Sequence, residues 1–524
     1  MLPAIDGRDV VSVGLLAFAS LGGFIMGFDT SVISGIKELP AWLERFGYRD
    51  EYGLYRLTTA NESLVVSILS AGTFFGALTS GIFADNFGRR AGIIASSILF
   101  SAGVAIQVGS PNLAAFVVGR AITGYGLGAM LTFVPMYQSE CAQKSIRGAI
   151  ITCSQLSTTI GLMIAAVANQ SASKVSGASS WRVPIAIQIA FAGVLALGMI
   201  FLPESPRYYV KRNRREEGLR ALSRLRQRPT TDLDVIEEFD EIVKSAELDS
   251  AMSRSGYLDC FKQGAVKTRT RVLTGLGFLG AQQLTGINFI FYYGTTFFVS
   301  AGISDPYLIS VLANVVNVVF TLPAFVLIDK VGRRPLLIWG ALWMAIAQLI
   351  IGATGITVST DNEVGQRVLV AFVFLYVAAF ALTWGPVAWV VNAELYPLAV
   401  RAKAMSMTGA TNWAVNFGIG YSVPYLVNEG PGNAGLGVRV YFLWGSLCML
   451  CFVYAYFFIP ETKGLSLEQV DQLFLNSTPR TSSTYRAQLL ATPHSDSTPE
   501  VPYTLRHSTS ATSSDPEKSE KQEI

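Results

Sequence analysis

The chain has 524 residues, of which 51% are hydrophobic and only 15% are charged. Soluble domains carry about a quarter charged residues, so the composition excludes an ordinary soluble enzyme and favours a membrane protein. The 40 basic and 37 acidic residues nearly cancel to a net charge of +3, which gives no electrostatic basis for a nucleic-acid partner.

Long stretches without charged residues predict the membrane spans. A helix needs about 20 apolar residues to cross the hydrocarbon core, and such stretches recur from residue 10 to residue 460. In lipid, a helix pairs the backbone N–H and C=O groups of such a run within the run itself. We therefore predict an all-α membrane protein with twelve transmembrane helices. Basic residues concentrate between Glu204 and Arg271, which predicts that this segment and both termini face the cytoplasm.

Asp29 is the only charged residue in the first predicted span. An ionisable group inside a membrane is costly and is therefore a functional candidate. A rise of about 1.5 Å per residue places Asp29 at a depth similar to that of Arg120 on the fourth span. We predict that the two residues pair and that Asp29 exchanges a proton during a working cycle. The alternative is a static buried ion pair.

Three charged motifs recur in the same order in the two halves of the chain, each at the predicted cytoplasmic ends of the spans. Their residues are Asp85, Arg89, Arg90, Glu140, Arg147 and Glu204 in the first half, and Asp329, Arg333, Arg334, Glu394, Arg401 and Glu461 in the second. Parallel repeats of this kind are typical of transporters whose site lies between two rocking bundles. We interpret the motifs as salt bridges that hold the inner ends of the bundles together and break when the inner gate opens. The alternative is that they only anchor the helix ends.

The repeat divides the chain into four parts. We predict a six-helix bundle over residues 1–203, a cytoplasmic helical linker over 204–271, a second six-helix bundle over 272–460 and a cytoplasmic tail over 461–524. The tail is rich in Ser and Thr and poor in large apolar residues, so it should be disordered beyond about residue 476.

Uncharged polar and aromatic residues lie near the middle of several predicted spans. Asn and Gln amides both donate and accept hydrogen bonds without net charge, and aromatic rings stack on apolar sugar faces, as a neutral polyol requires. The candidates for substrate binding are Gln155, Gln282, Gln283, Asn288, Asn317, Trp389, Asn412 and Trp413. For any one amide, hydrogen bonding between helices is the alternative. Gly385 and Pro386 predict a break in the tenth helix, and Tyr292 and Tyr293 are candidate gate residues.

Several ordered motifs carry a family resemblance. They are Asp29–Gly35 (DTSVISG), Arg89–Arg90, Pro135–Tyr137 (PMY), Pro203–Arg207 (PESPR), Gln282–Asn288 (QQLTGIN) and Pro460–Gly464 (PETKG). With them the chain resembles the sugar porter family of the major facilitator superfamily, and it is most similar to fungal hexose transporters. The resemblance implies a major facilitator fold and a sugar substrate. Asp in the first motif accompanies proton symporters of this family, whereas uniporters often carry Asn.

We therefore expect a secondary active transporter that takes up a monosaccharide, glucose or a related hexose, by proton symport across the plasma membrane. A facilitator without proton coupling and a non-transporting sugar sensor are the alternatives. The expected partners are the monosaccharide, protons and the lipid bilayer, and we expect a monomer. Both histidines, His494 and His507, lie in the tail, so we expect neither enzyme activity nor a cofactor or metal.

Overall fold

The computed structural model of the chain describes residues 14–50, 53–142, 147–252, 257–263, 266–357, 362–397, 400–465 and 467–491. Its first half contains six long helices. They are span 1, Gly14–Ile36; span 2, Thr59–Phe87; span 3, Arg89–Gly109; span 4, Leu113–Cys141; span 5, Arg147–Ala172; and span 6, Ser179–Phe201.

The second half repeats this arrangement with two divided helices. They are span 7, Thr268–Leu284 and Ile287–Ser300; span 8, Pro306–Val331; span 9, Arg333–Thr357; span 10, Glu363–Leu382 and Trp384–Glu394; span 11, Arg401–Val427; and span 12, Val440–Phe458. Within the described residues, nine stretches are long and apolar enough to cross a membrane, and spans 5, 7 and 11 complete the predicted set. The two parts of span 7 are only 17 and 14 residues long, so neither is counted alone. The predicted twelve-span helical architecture is confirmed.

The two faces of the bundle differ in what connects the spans. One face carries the linker, with helices Pro206–Lys211, Arg215–Arg226 and Leu233–Met252, and we call it the linker face. The opposite, distal face carries short loops. After span 1 it also carries a helix, Pro40–Phe46, and a two-stranded antiparallel hairpin that pairs Tyr48–Arg49 with Tyr55–Arg56.

Up to residue 491 the tail departs from the expectation of disorder, and residues 492–524, to which that expectation also applies, lie outside the described part. Helices cover Leu467–Asn476 and Ser482–Ala491, so helical structure extends past residue 476. The Ser482 hydroxyl, which is fully buried, accepts a hydrogen bond from the Glu461 amide at 2.9 Å and donates one to the Pro479 carbonyl at 2.7 Å. Ser/Thr-rich composition predicts that a segment lacks its own core, but it does not reveal polar docking onto a neighbouring element.

Span 7 breaks at Gly286, whose φ of +83° suits glycine and leaves room for the Trp444 ring against it. The break removes helical partners from the Thr285 carbonyl, which would be costly in a membrane interior. That carbonyl instead accepts hydrogen bonds from Gln348 Nε2 at 2.9 Å and the Tyr376 hydroxyl at 2.9 Å. The break is therefore fully integrated into the packing of the second half.

Span 10 also breaks, but at Thr383, two positions before the predicted Gly385–Pro386. Thr383 has φ −128° and ψ −87°, outside the helical region. Pro386 lies at the third position of the second part of the helix, within the first turn, where its missing N–H costs nothing. The first part of span 10 consequently ends at Leu382, and the second part begins at Trp384 and includes Gly385 and Pro386 in its first turn.

Two glycines close the tight connections between spans 2 and 3 and between spans 8 and 9. Gly88 has φ +93° and Gly332 has φ +108°, conformations that side chains rarely adopt. A Cβ at either position would also collide with a carboxylate, that of Glu204 in the first half and that of Glu461 in the second. The same steric requirement thus recurs in both repeats.

We expect Gly88→Ala and Gly332→Ala each to destabilise the fold by about 1–3 kcal/mol, because both the backbone and the carboxylate must move. Thermal unfolding of the purified protein in detergent measures the effect. Gly409→Ala is the control, since Gly409 lies on a helix with open space around it and its replacement should not lower the unfolding temperature. Equal unfolding temperatures for all three variants would contradict the steric requirement for glycine at positions 88 and 332.

Candidate functional site

Gln282 and Gln283 are adjacent on span 7, so their side chains lie about 100° apart around the helix and point in two directions. Gln282 Nε2 donates to the Trp384 carbonyl at the break of span 10, at 2.9 Å. Gln283 Nε2 instead donates to Asn412 Oδ1 at 2.7 Å. Asn412 Nδ2 donates in turn to Gln282 Oε1 at 3.0 Å, so the span 11 amide connects both glutamines.

Asn288 joins the same cluster by donating to Gln283 Oε1. In a continuous helix the five-residue spacing would place it about 1.4 turns beyond Gln283. Gly286 breaks the helix between the two residues, and their amides meet across this break. The structure therefore brings together four of the eight predicted substrate-binding residues, Gln282, Gln283, Asn288 and Asn412.

Asn416 is a member of this cluster that the sequence analysis missed. Its Oδ1 accepts hydrogen bonds from Ser70 Oγ at 2.7 Å and from the Tyr292 hydroxyl at 3.1 Å. Ser70 belongs to span 2, so Asn416 connects the amide cluster to the first half of the chain. Asn416 lies four residues after Asn412 and hence on the same helix face, a spacing that could have identified it.

The other four predicted residues lie outside the hydrogen-bonded cluster. Among the described residues, the amides of Gln155 and Asn317 have no hydrogen-bond partner, although Asn317 is only 3% exposed. Trp413 is buried, whereas Trp389 is 42% exposed. The two unpaired amides, one in each half, are available to a ligand.

Asp29 and Arg120 form the deepest ion pair in the described structure. Their exposed fractions are 0% and 1%, and Arg120 Nη1 donates to both carboxylate oxygens, at 3.1 and 3.0 Å. Arg120 Nε donates to the Val65 carbonyl at 3.3 Å, while Nη2 is buried without a partner. The pairing predicted from helix depth is thus present, with one guanidinium nitrogen unsatisfied.

The ion pair and the amide cluster are neighbours. Val65, which Arg120 contacts, lies on span 2 five residues before Ser70, a rise of about 7.5 Å. Tyr292, which donates to Asn416, is buried on span 7. Span 2 therefore connects the ion pair to the amide cluster, since its Ser70 hydroxyl donates to Asn416.

The repeated charged motifs form one cluster in each half on the linker face. Arg89 Nη2 pairs with Glu140 at 3.0 Å, and Glu204 accepts hydrogen bonds from the backbone amides of Arg89 and Arg90. The second half repeats this. There Arg333 Nη2 pairs with Glu394 at 2.9 Å, and Glu461 accepts from the amides of Arg333 and Arg334.

These contacts lie within the halves rather than between them. In this conformation each cluster joins the ends of spans of one bundle, so the expectation that the residues hold the two bundles together is not met by these pairs. Asp329 pairs with Arg333 at 3.2 Å, and Arg401 makes no ion pair among the described residues. The side chains of Asp85 and Arg147 lie outside the described part.

Charged residues that join the halves occur instead on the distal face. Lys37 Nζ pairs with Glu62 Oε1 at 2.5 Å and lies 3.9 Å from the centre of the Tyr293 ring. Glu62 also accepts from Asn428 Nδ2 at 3.0 Å. We call Lys37, Glu38 and Glu62 the distal latch, because each belongs to the first half and contacts the second.

Glu38 completes the latch by accepting a hydrogen bond from Thr296 Oγ1 at 2.5 Å. Further contacts between the halves on this face join Ser34 to Thr295 and Gln170 to Asp305. The distal face is therefore closed, whereas the described charged clusters of the linker face make their ion pairs within one half each.

Comparison with known proteins agrees with this architecture. The family model described as "Sugar (and other) transporter" matches residues 15–474. The chain belongs to this sugar transporter family of the major facilitator superfamily.

Relatives within the family include both transporters and a sensor. A probable glucose transporter of Neurospora crassa is 41% identical, over 88% of this chain and 79% of the relative. A high glucose sensor of Saccharomyces cerevisiae is also 41% identical, over 89% of this chain, and the match spans only 61% of the sensor's length.

Solved structures of the family share the fold. A partially occluded, inward-open form of the Escherichia coli xylose transporter XylE aligns with a TM-score of 0.72 at 26% identity, covering 87% of this chain and 100% of that chain. A structure of the proton:xylose symporter XylE with 6-bromo-6-deoxy-D-glucose bound aligns with a TM-score of 0.72 at 27% identity, over 89% of this chain and 99% of that chain. The predicted major facilitator fold and the resemblance to fungal sugar porters are confirmed.

The distal latch should respond to the loss of one charge more than to the loss of both. Lys37→Met leaves Glu62 buried and uncompensated, which costs about 3–5 kcal/mol for a buried pair. We expect this variant to favour separation of the halves on the distal face. Labelling of a cysteine introduced at Thr295 by a membrane-impermeant reagent should then become faster.

The double variant Lys37→Met with Glu62→Met is the control, because replacing both charges by apolar groups is often nearly neutral. Its labelling rate should return toward that of the parent protein. A double variant that labels as fast as Lys37→Met would show that the ion pair itself, rather than the unpaired carboxylate, closes the distal face.

Glu38 makes the latch sensitive to pH. Burial raises the pKa of the Glu38 carboxyl above its usual value, which the neighbouring Lys37 and the hydrogen bond from Thr296 only partly oppose. Separation of the halves would hydrate Glu38 and return its pKa toward the usual range, so closure takes up a proton between the two values. We expect acidification through this window to favour the closed distal face, and Glu38→Gln to remove that component from the labelling rate.

Proposed function

We propose that this protein takes up a monosaccharide, glucose or a related hexose, by proton symport across the plasma membrane with alternating access. In this proposal the linker face and both termini are cytoplasmic, in keeping with the basic linker. The present conformation, closed on the distal face, is then the inward-facing one. The closed contacts between the halves on the distal face support this assignment.

The observation that carries the proposal is the incomplete pairing of Asp29 with Arg120. A buried Arg–carboxylate pair with a purely structural role is most stable as a two-pronged fork, with two guanidinium nitrogens on two oxygens. Here a single nitrogen contacts both oxygens, and Nη2 is left unsatisfied. The pair is therefore less complete than a structural fork, which supports a carboxylate that exchanges a proton over a static ion pair.

The proposed sugar site combines bonded and unbonded amides. Gln283 and Asn412 are held by neighbouring side chains, so their remaining hydrogen-bonding capacity points in a fixed direction. Gln155 and Asn317 are free of protein partners within the described residues and belong to opposite halves. A neutral polyol between them would contact both bundles, as binding that is coupled to their relative motion requires.

Proton coupling at Asp29 provides sufficient free energy for accumulation. Each entering proton contributes about 2.3 kcal/mol per 100 mV of membrane potential, and about 1.4 kcal/mol per unit of pH gradient. The ion pair reaches the amide cluster through span 2, which offers a route by which protonation and sugar occupancy affect each other.

We expect Asp29→Asn to abolish accumulation of radiolabelled sugar against a gradient in proteoliposomes with an imposed pH difference, while sugar exchange continues. The amide cannot release a proton, but it retains the shape of the carboxylate. Glu62→Gln is the matched control, because Glu62 is a buried acid of the same half that contacts neither Arg120 nor the amide cluster. This variant should change the rate of sugar uptake but should still accumulate sugar against the gradient.

Unchanged accumulation in Asp29→Asn would remove Asp29 from the coupling mechanism. If the parent protein carries sugar but the internal concentration never exceeds the external one, the protein is a facilitator without coupling.

The 41% identity to a high glucose sensor favours a second candidate function, a non-transporting sugar sensor. A sensor would keep the amide cluster and bind sugar without moving it. Measured sugar binding together with an absence of flux in the parent protein would favour the sensor, whereas saturable flux would exclude it.

A further inference from the structure

A small polar cavity lies between the halves, on the distal side of the amide cluster. It has the size of about one water molecule and is lined by spans 1 and 5 of the first half and spans 7 and 8 of the second. Asn169 of span 5 and Asn314 of span 8 both line it, and no charged side chain does.

Both asparagines carry a buried acceptor without a donor. Their exposed fractions are 4% and 5%, and the Oδ1 atom of each has no hydrogen-bond partner. The orientation of each amide is fixed by its other end. Asn169 Nδ2 donates to the Ser31 carbonyl at 3.0 Å, and Asn314 Nδ2 donates to the Ser310 carbonyl at 2.9 Å. Neither amide can turn over without losing that bond, so each side chain that lines the cavity keeps its oxygen as the unpaired atom.

Apart from Ser31, the hydroxyl groups around the cavity already have partners. Ser34 donates to Thr295 at 3.4 Å, Thr295 and Ser310 are 3.2 Å apart, and the Tyr307 hydroxyl donates to the Gly35 carbonyl at 3.2 Å. The two asparagine oxygens have no donor among the described residues, and an unpaired buried acceptor costs about 1–3 kcal/mol. A neutral molecule that carries hydroxyl groups would supply the donor.

The cavity also lies on the route to the amide cluster. Asn314 is one helical turn nearer to the distal end of span 8 than Asn317, a rise of about 4.5 Å. On span 7 the lining residues Ile290, Phe291 and Thr295 lie between Asn288 and the latch contact Thr296. Separation of the halves on the distal face would widen the cavity, because its two asparagines belong to opposite halves.

We propose that Asn169 and Asn314 form a distal subsite that accepts hydrogen bonds from the hydroxyl groups of a monosaccharide while the distal face is open. The subsite binds the sugar before it reaches the amide cluster, and Ile290 and Phe291 supply an apolar wall for its C–H face. This inference rests on the proposed function. In the closed conformation the subsite contracts to the volume of one water molecule.

Equilibrium binding of an impermeant sugar tests the subsite. The probe is radiolabelled glucose tethered to polyethylene glycol through O6 or, in a second version, through O1, and it is applied to oriented proteoliposomes from either face. We expect Asn314→Ala to weaken binding from the distal face about five-fold, the effect of one lost hydrogen bond, and to leave binding from the linker face unchanged. Asn314→Ser, which keeps an acceptor, should recover part of the affinity.

Asn317→Ala is the matched control and should weaken binding from both faces, because it belongs to the proposed central site. The unfolding temperature of Asn314→Ala should not fall, since the variant removes an unsatisfied buried acceptor. Unchanged affinity from the distal face in Asn314→Ala, or an equal loss of affinity from both faces, would overturn the subsite. If Asn317→Ala also has no effect, the proposed sugar site fails as well.

Discussion

The break of span 7 at Gly286 is the constraint on which the arrangement of the amides depends. A membrane interior cannot satisfy a released carbonyl with water, so the protein must supply donors at the break. Gln348 and Tyr376 do so at the Thr285 carbonyl, and both belong to the second half. Because the break is held on its back side by spans 9 and 10, the amides on its front side occupy fixed positions. The site is therefore made by an irregular backbone that the surrounding helices stabilise.

The two halves are stabilised internally to a greater degree than they are joined. Each has its own cluster in which an arginine, two glutamates and a tightly turned glycine connect the helix ends on the linker face. The contacts between the halves on the distal face are more varied, and include a cation over a ring and single hydroxyl bonds. This difference is what relative motion of two rigid bodies needs, because each bundle can keep its internal bonds while the interface changes.

The sequence predicted those features that follow from charge and from repetition. The spans, the repeated clusters and the contact between Asp29 and Arg120 depend on the high cost of burying charge, and this cost limits where such residues can lie. Asn416 was missed because a lone amide in an apolar span has no such signature, although its spacing from Asn412 indicated the same helix face. The distal latch was missed for a different reason. Lys37 and Glu62 lie at span ends, where charges are ordinarily hydrated, and only the packing of the halves shows that they are buried.

The position of the buried Asp29–Arg120 pair limits how, in the proposed mechanism, protonation can affect gating. Both Asp29 and Arg120 belong to the first half, so a change in their pairing does not itself break a contact between the halves. Its effect must pass through groups that touch both the pair and the second half. Span 2 is one such element, since its Val65 carbonyl contacts Arg120 and its Ser70 contacts Asn416. This route ends at Asn416, which also accepts a hydrogen bond from Tyr292 of the second half. In the proposed mechanism, this amide is the point where the state of Asp29 and the occupancy of the sugar site influence each other.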